Sequence, residues 1–171
     1  DGRPVYMYEF VPAGRSPHRY WRDIGTIEGY WQAHMDLVAP VPELDLYDGT
    51  WPTYTYKPPL PPAKLICGQD FRQAEVHDSL LSAGCIVCGA DVERSVLSPS
   101  VRVEPEAKVS ECILMDDVTV GEGAYLQRVI VDEGVAIPAG FSIGANPEED
   151  AKRFVVTDGG ITIVPRRVMF E

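Results

Sequence analysis

A repeat of seventeen residues constrains this chain more than any other feature. Cut every 17 residues from Gly84, it falls into the rows GCIVCGADVERSVLSPS, VRVEPEAKVSECILMDD, VTVGEGAYLQRVIVDEG and VAIPAGFSIGANPEEDA. The columns agree in physical kind. One holds Ile86, Val103, Val120 and Ile137, and another holds Val92, Val109, Leu126 and Ile143. A third holds Leu97, Leu114 and Val131, and a small-residue column holds Ala90, Ala107 and Ala124 and ends at Phe141. Apolar residues are thus spaced 6, 5 and 6 apart, too briefly for helices and too regularly for irregular loops. Short strands separated by turns satisfy this pattern, three strands to a circuit, each stacking on its counterpart one circuit later. Gly89, Gly121, Gly123, Pro138 and Gly140 suit the corners. The expected fold is a triangular parallel β-helix of four to five circuits. A weaker preceding coil is expected at residues 76–82, which echo residues 92–98 at an offset of 16. Period alone does not set the handedness.

The flanks differ from the coils. Val5–Phe10 is rich in β-formers and reads as a strand. Thr26 to Val38 reads as an amphipathic helix with Thr26 as N-cap and Ile27, Tyr30, Trp31, His34 and Leu37 along its apolar face. Residues 40–62 are rich in Pro and Tyr, the pattern of an extended linker packed along a surface by its aromatic residues. After the coils, Pro147–Arg153 predicts a short helical cap. Residues 154–157 and 161–164 flank Asp158-Gly159-Gly160, a hairpin signature.

The chemistry is narrowed mostly by exclusion. The formal net charge of −11 argues against nucleic acid, since phosphate backbones require a basic footprint. No apolar run reaches the roughly 18 residues of a membrane span. Four cysteines in 171 residues are too few for a disulfide scaffold, and Cys85 and Cys88 read as reduced residues in packed strands, which suits the cytoplasm. No histidine falls in residues 84–151, so neither an acyltransferase base nor a three-histidine zinc site is available on the coils. His18 and His34 read as surface or helix-packing residues. Two readings fit Asp23, which lies between Arg22 and a glycine turn just before a helix: a capping or Arg22-paired carboxylate, or a hard-oxygen ligand for a divalent metal. The terminal Pro165-Arg166-Arg167 is a basic spot in an acidic protein, either a solvated end or an anion site.

Several runs resemble the bacterial glucose-1-phosphate adenylyltransferase family (ADP-glucose pyrophosphorylases). They are Arg19-Tyr20-Trp21-Arg22-Asp23-Ile24-Gly25-Thr26 with Ile27-Glu28-Gly29-Tyr30-Trp31, then Val41-Pro42-Glu43-Leu44-Asp45-Leu46-Tyr47, Trp51-Pro52 and Leu60-Pro61-Pro62-Ala63-Lys64. The likeness continues through Ser79–Ser82, Ile137–Gly140 and Glu148–Phe154. It implies that the coils are a left-handed, hexapeptide-repeat β-helix preceded by a short α/β remnant of a nucleotidyltransferase domain. The implied boundaries are residues 1–38 for the end of the catalytic domain, 39–66 for a Pro-rich linker and 67–171 for the β-helix with its hairpin.

The resemblance further implies an enzyme that makes ADP-glucose and pyrophosphate from ATP and α-glucose 1-phosphate with Mg²⁺, for glycogen synthesis. It implies Asp23 as a metal-binding residue, Arg166 and Arg167 as residues for an anionic sugar-phosphate effector, and a homotetramer. Glu133 stands where AMP-inhibited members carry an arginine, and Phe170 where another basic effector residue is expected, so inhibition of that type is not expected. The family's GGxGxRL nucleotide loop is missing from these residues, and the chain begins at Asp1 rather than Met. The expectation is therefore a fragment that assembles and regulates but is inactive alone. The alternative is a stand-alone β-helix interaction module.

Overall fold

The computed structural model of the chain describes residues 3–7, 20–50, 52–68 and 71–170. It begins with one helix, α1 (Ile27–Leu37), followed by an irregular segment that runs up to the first strand. The first coil then contributes β1 (Lys64–Ile66), β2 (Glu75–His77) and β3 (Leu80–Leu81), and the second β4 (Ile86–Cys88), β5 (Asp91–Glu93) and β6 (Val96–Leu97). The third contributes β7 (Arg102–Val103), β8 (Lys108–Ser110) and β9 (Ile113–Leu114), and the fourth β10 (Thr119–Val120), β11 (Tyr125–Gln127) and β12 (Val129–Val131). The last coil has β13 (Ala136–Ile137) and β14 (Ser142–Ile143), then α2 (Pro147–Asp150), β15 (Val155–Val156) and β16 (Thr162–Val164). Every third strand pairs in parallel, which gives three sheets: β1-β4-β7-β10-β13, β2-β5-β8-β11-β14, and β3-β6-β9-β12-β16 with β15 antiparallel on the outer edge. The architecture is a left-handed parallel β-helix.

Stacked aliphatic columns fill the interior. Val92, Val109, Leu126 and Ile143 are at most 1% exposed, as are Leu97, Leu114, Val131 and Val164. Each such side chain withdrawn from water contributes about 1.5–3 kcal/mol. One expected column is corrected. Val87, not Ile86, pairs in register with Val103 and is fully buried, because the corner at Gly89 is one residue shorter than the corners that follow. The expected coil at residues 76–82 is present, with Val76 opposite Val92 and Leu81 opposite Leu97.

The corners share a single backbone device. Between the first and second sheets the left-handed conformation falls at Gly89, Glu106, Gly123 and Gly140. Between the second and third sheets it falls at Asp78, Arg94, Glu111 and Arg128, and between the third and first at Gly84, Ser100, Asp117 and Gly134. A residue with a Cβ loses about 1–2 kcal/mol there, which the continuous parallel ladder offsets. At the second corner hydroxyls extend that ladder: Ser79 Oγ accepts from Ser95 N at 3.1 Å, and Ser95 Oγ accepts from Cys112 N at 3.0 Å.

The ends depart from expectation in three places. Residues 3–7 form no strand, and Val5, Tyr6 and Met7 are exposed; residues 8–10 of that expected strand, like His18, lie outside the described residues. The described aromatic residues of the 40–62 segment do not pack it down, since Tyr47, Tyr54 and Tyr56 are exposed. Backbone bonds anchor its end instead: Gly84 N donates to Pro61 O at 2.7 Å, and Lys64 N to Cys85 O at 2.8 Å. β1 therefore already belongs to the solenoid inside the segment expected to be linker. The expected hairpin forms, but β16 also pairs in parallel with β12, Ile163 opposite Ile130, and so completes the last triangle. The helical cap α2 and β15 are inserted before it. Asp150 of α2 seals this end, its Oδ2 accepting from Gly144 N at 2.7 Å.

Two glycines separate steric from conformational demand. A Cβ at Gly121 would lie 2.5 Å from Ala139 N and 2.7 Å from Ile137 O, both backbone. At Gly123, with φ of +65°, it would meet nothing within 4 Å. Gly123→Ala is expected to cost about 1 kcal/mol, from backbone conformation alone, and Gly121→Ala about 3 kcal/mol, because a ladder strand must shift. Chemical denaturation of the two variants checks this difference.

Candidate functional site

Helix α1 fastens the first segment to the solenoid. Thr26 is its N-cap, accepting from Gly29 N at 3.0 Å, and Glu28 sits in its first turn. Its buried stripe is Trp31, Met35 and Val38, packed with Ile113, Ile130 and Ile161 on the outer face of the third sheet. Ile27, expected on that face, is exposed, whereas Met35 is buried, so the stripe runs through Trp31 and Met35 rather than through Ile27 and His34. His34 bonds Tyr30 O and stacks on the Tyr30 ring, the helix-packing role expected of it.

Trp31 makes the closest joint. Its Nε1 donates to Glu111 O at 2.9 Å, and the Arg128 guanidinium lies 4.5 Å from its ring centroid. Glu111 and Arg128 are left-handed residues of the second corner, where Arg94 and Arg128 each pair with Glu111, at 3.4 and 3.5 Å. The alternation of Arg94, Glu111 and Arg128 at 17-residue spacing was the signal that could have revealed this joint in the sequence.

Asp23 sits in the loop that leads into α1. It is exposed, and its Oδ1 accepts from Gly25 N at 2.9 Å. Arg22 does not pair with it; Arg22 Nε donates to Asp36 Oδ2 at 2.7 Å. The Asp36 carboxylate also accepts from Gln32 Nε2 at 2.9 Å and Tyr20 OH at 3.3 Å, which clamps the loop to the helix. Gly29 is required by close approach, because a Cβ there would lie 2.2 Å from Asp23 O. The loop, α1 and the corner enclose an open cleft of about 490 Å³ lined by Trp21, Arg22, Asp23, Glu28, Gln32 and Arg128, among others. Asp23 thus presents one hard oxygen donor to a divalent cation. Among the described residues no group of three or more His, Cys, Asp or Glu side chains is arranged to hold a metal. Asp23 is the one carboxylate of that loop, and by itself it does not make a metal site.

Arg166 and Arg167 lie beyond β16 and do not line the cleft that holds Asp23. Both are exposed. Arg166 N donates to Asp132 Oδ2 at 3.2 Å, and its guanidinium pairs with Glu133. Arg167 has no ion-pair partner among the described residues. The pairing of Arg166 with Glu133 spans 33 residues and had no local signature. All four cysteines are free thiols, and burial pushes Cys112 up to about 12, so it stays protonated.

A hexapeptide-repeat β-helix with a docked helix is the class that this geometry defines. Residues 61–164 match the family model described as GlmU-like, C-terminal hexapeptide, and the chain belongs to that family. It is similar over nearly its whole length to the C-terminal portion of curated glucose-1-phosphate adenylyltransferases. The protein of that name from Francisella tularensis subsp. novicida is 42% identical over 161 residues, covering 94% of this chain and 38% of the relative. Those from Bradyrhizobium diazoefficiens and Albidiferax ferrireducens are 46% identical over 167 residues and 48% over 145, covering 96% and 85% of this chain and 40% and 34% of the relatives. The chain therefore spans about two fifths or less of the length of these curated relatives. No helix among the described residues is long and apolar enough to cross a membrane.

Burial raises the Asp36 pKa, but hydrogen bonds from Gln32 and Arg22 and the charge of Arg22 outweigh it and hold the carboxyl below its usual range. Its stabilisation of the loop is complete above the ordinary aspartate value of about 3.9 and is lost as acid protonates the folded group. The difference in melting temperature between the native chain and Asp36→Asn is expected to be largest near neutrality and to shrink below about pH 4. Thermal unfolding across that range checks it.

Proposed function

We propose that the chain is the assembly and regulatory portion of a glucose-1-phosphate adenylyltransferase. The whole enzyme would join ATP and α-glucose 1-phosphate into ADP-glucose and pyrophosphate for glycogen synthesis in the cytoplasm, as a homotetramer. The observation that carries this reading is the identity of more than 40% to adenylyltransferases across 94–96% of the chain, which takes in both the Asp23 loop and the coils.

Within it, Asp23 would contribute a carboxylate to Mg²⁺, which would supply charge neutralisation for a triphosphate during attack by the sugar phosphate. This chain's own residues hold that carboxylate in place: Thr26 starts the helix, Gly29 lets the loop approach it, and Asp36 clamps Arg22. A single donor and no glycine-rich nucleotide loop leave residues 1–171 inactive by themselves. Residues 1–38 are the end of the catalytic domain, 39–63 the linker, and the regulatory β-helix starts at β1 (Lys64–Ile66).

Arg166, with Arg167 beside it, is the place for an anionic sugar-phosphate effector, because a guanidinium can grip phosphate with two parallel hydrogen bonds. Glu133 occupies that guanidinium, so an effector binds by displacing a carboxylate. Arg166→Ala is expected to weaken binding of a sugar bisphosphate about tenfold or more, whereas Glu133→Gln strengthens it several-fold. Calorimetry on the chain as it stands measures both. Unchanged affinity in Arg166→Ala removes the effector assignment, and pyrophosphate release from ATP and glucose 1-phosphate by this chain alone removes the claim of inactivity.

A further inference from the structure

The Arg166 corner and helix α1 are far apart in sequence, yet one short element touches both. β16 is held at each end by a different residue of the fourth coil. At its far end Asp132 N donates to Val164 O at 2.9 Å, and Asp132 Oδ2 accepts from Arg166 N at 3.2 Å. At its near end Thr162 N donates to Arg128 O at 3.1 Å. A strand of three residues spans only about 10 Å and has little freedom to absorb a displacement at one end. The turn before it is rigid: Thr157 N donates to Ile161 O at 3.0 Å, and Gly160 N to Thr157 O at 2.9 Å.

That turn is bound to helix α1 in three ways. Arg128, besides pairing with Glu111, donates from Nη2 to Gly159 O at 3.0 Å and lies over the Trp31 ring. Glu28, in the first turn of α1, lies against that turn, where a Cβ on Gly159 would be 3.3 Å from its Cγ and 3.7 Å from Thr157 Oγ1, and the Thr157 hydroxyl holds its carboxyl below the usual range. Ile161 packs in the same apolar cluster as Trp31 and Met35. Arg128 therefore contacts β16 through its carbonyl, the hairpin turn through one amine and the helix through its charged face.

We infer that the β15–β16 hairpin, gripped by Arg128, is a mechanical joint that carries the state of the Arg166–Glu133 pair to Trp31 and the start of helix α1. Arg128 is a positioning residue in this joint. Glu133 N donates to Asp132 Oδ1 at 2.8 Å, so release of Arg166 from Glu133 disturbs the Asp132–Arg166 clamp, the strand shifts against β12, and the turn changes its hold on Arg128 and Glu28. The loop that bears Asp23 is tied to the same helix through Asp36, so it moves with it. The joint deepens the effector reading above and rests on it only for the identity of the trigger.

The test uses this chain with Trp21→Phe and Trp51→Phe, which leaves Trp31 as the sole indole among the three tryptophans. Glu133→Gln frees Arg166 without any ligand. It is expected to shift Trp31 emission and to raise amide hydrogen exchange in residues 27–31 several-fold. Combined with Arg128→Ala, or independently with Thr157→Val, Glu133→Gln is expected to lose most of that effect. If Glu133→Gln leaves both readouts unchanged, or acts equally in all three backgrounds, the joint does not exist. Inorganic pyrophosphate then tests the trigger. Binding by calorimetry with a Trp31 response supports the joint, and binding without a response overturns it. Failure of pyrophosphate to bind removes the anion site, and the Glu133→Gln result still decides the joint.

Discussion

One left-handed residue at each corner is the constraint from which the rest of this fold follows. A parallel strand cannot meet its counterpart one circuit later unless the chain turns by about a third of a revolution three times without breaking the hydrogen-bond ladder. Columns of residues at positive φ accomplish that turn, and not all of them are glycines: Asp78, Arg94, Glu111 and Arg128 form one column entirely of charged side chains. Those side chains are cast outward from the corner in a vertical row. The backbone requirement of the coil thereby produces the charged rail on which Trp31 rests.

Much of this could be read from the chain because stacking acts at a fixed sequence separation. Val92, Val109, Leu126 and Ile143 are separated by 17 residues and face one another in the structure. Where the period slips, reading fails: Ile86 took the place of Val87 because one corner is a residue short. The helix stripe failed for another reason. His34 and Met35 both fit helical spacing with Trp31, and only the sheet beneath decides which is buried. β16 was legible as half a hairpin but not as a solenoid strand, since its partner lies 33 residues away rather than 17. The linker's tyrosines were misjudged because exposure depends on a surface that the linker itself does not carry.

The candidate site divides along the same line. Asp23 is conspicuous in sequence as part of a recognisable loop, whereas what holds that loop is not: Asp36, which lies outside the run, gathers Tyr20 and Arg22 from it and Gln32 from the helix. Arg166 stood out as a positive charge in an acidic chain. Its partner Glu133 belongs to another coil, and only the stacking of coils brings the two together. Local pattern marks the reactive groups, while tertiary contact determines their state.

The long insertion before β16 also sets an order of assembly. Successive coils form by closing loops of some 17 residues, each onto a surface already present, so growth can proceed like a zipper. The final side of the last triangle waits until α2 and β15 are in place and a segment roughly twice as long has closed. Loop closure of that length is slower and less compensated by neighbours on its outer side. The β12–β16 pairing is therefore closed by the longest loop between parallel neighbours among the described strands of the solenoid.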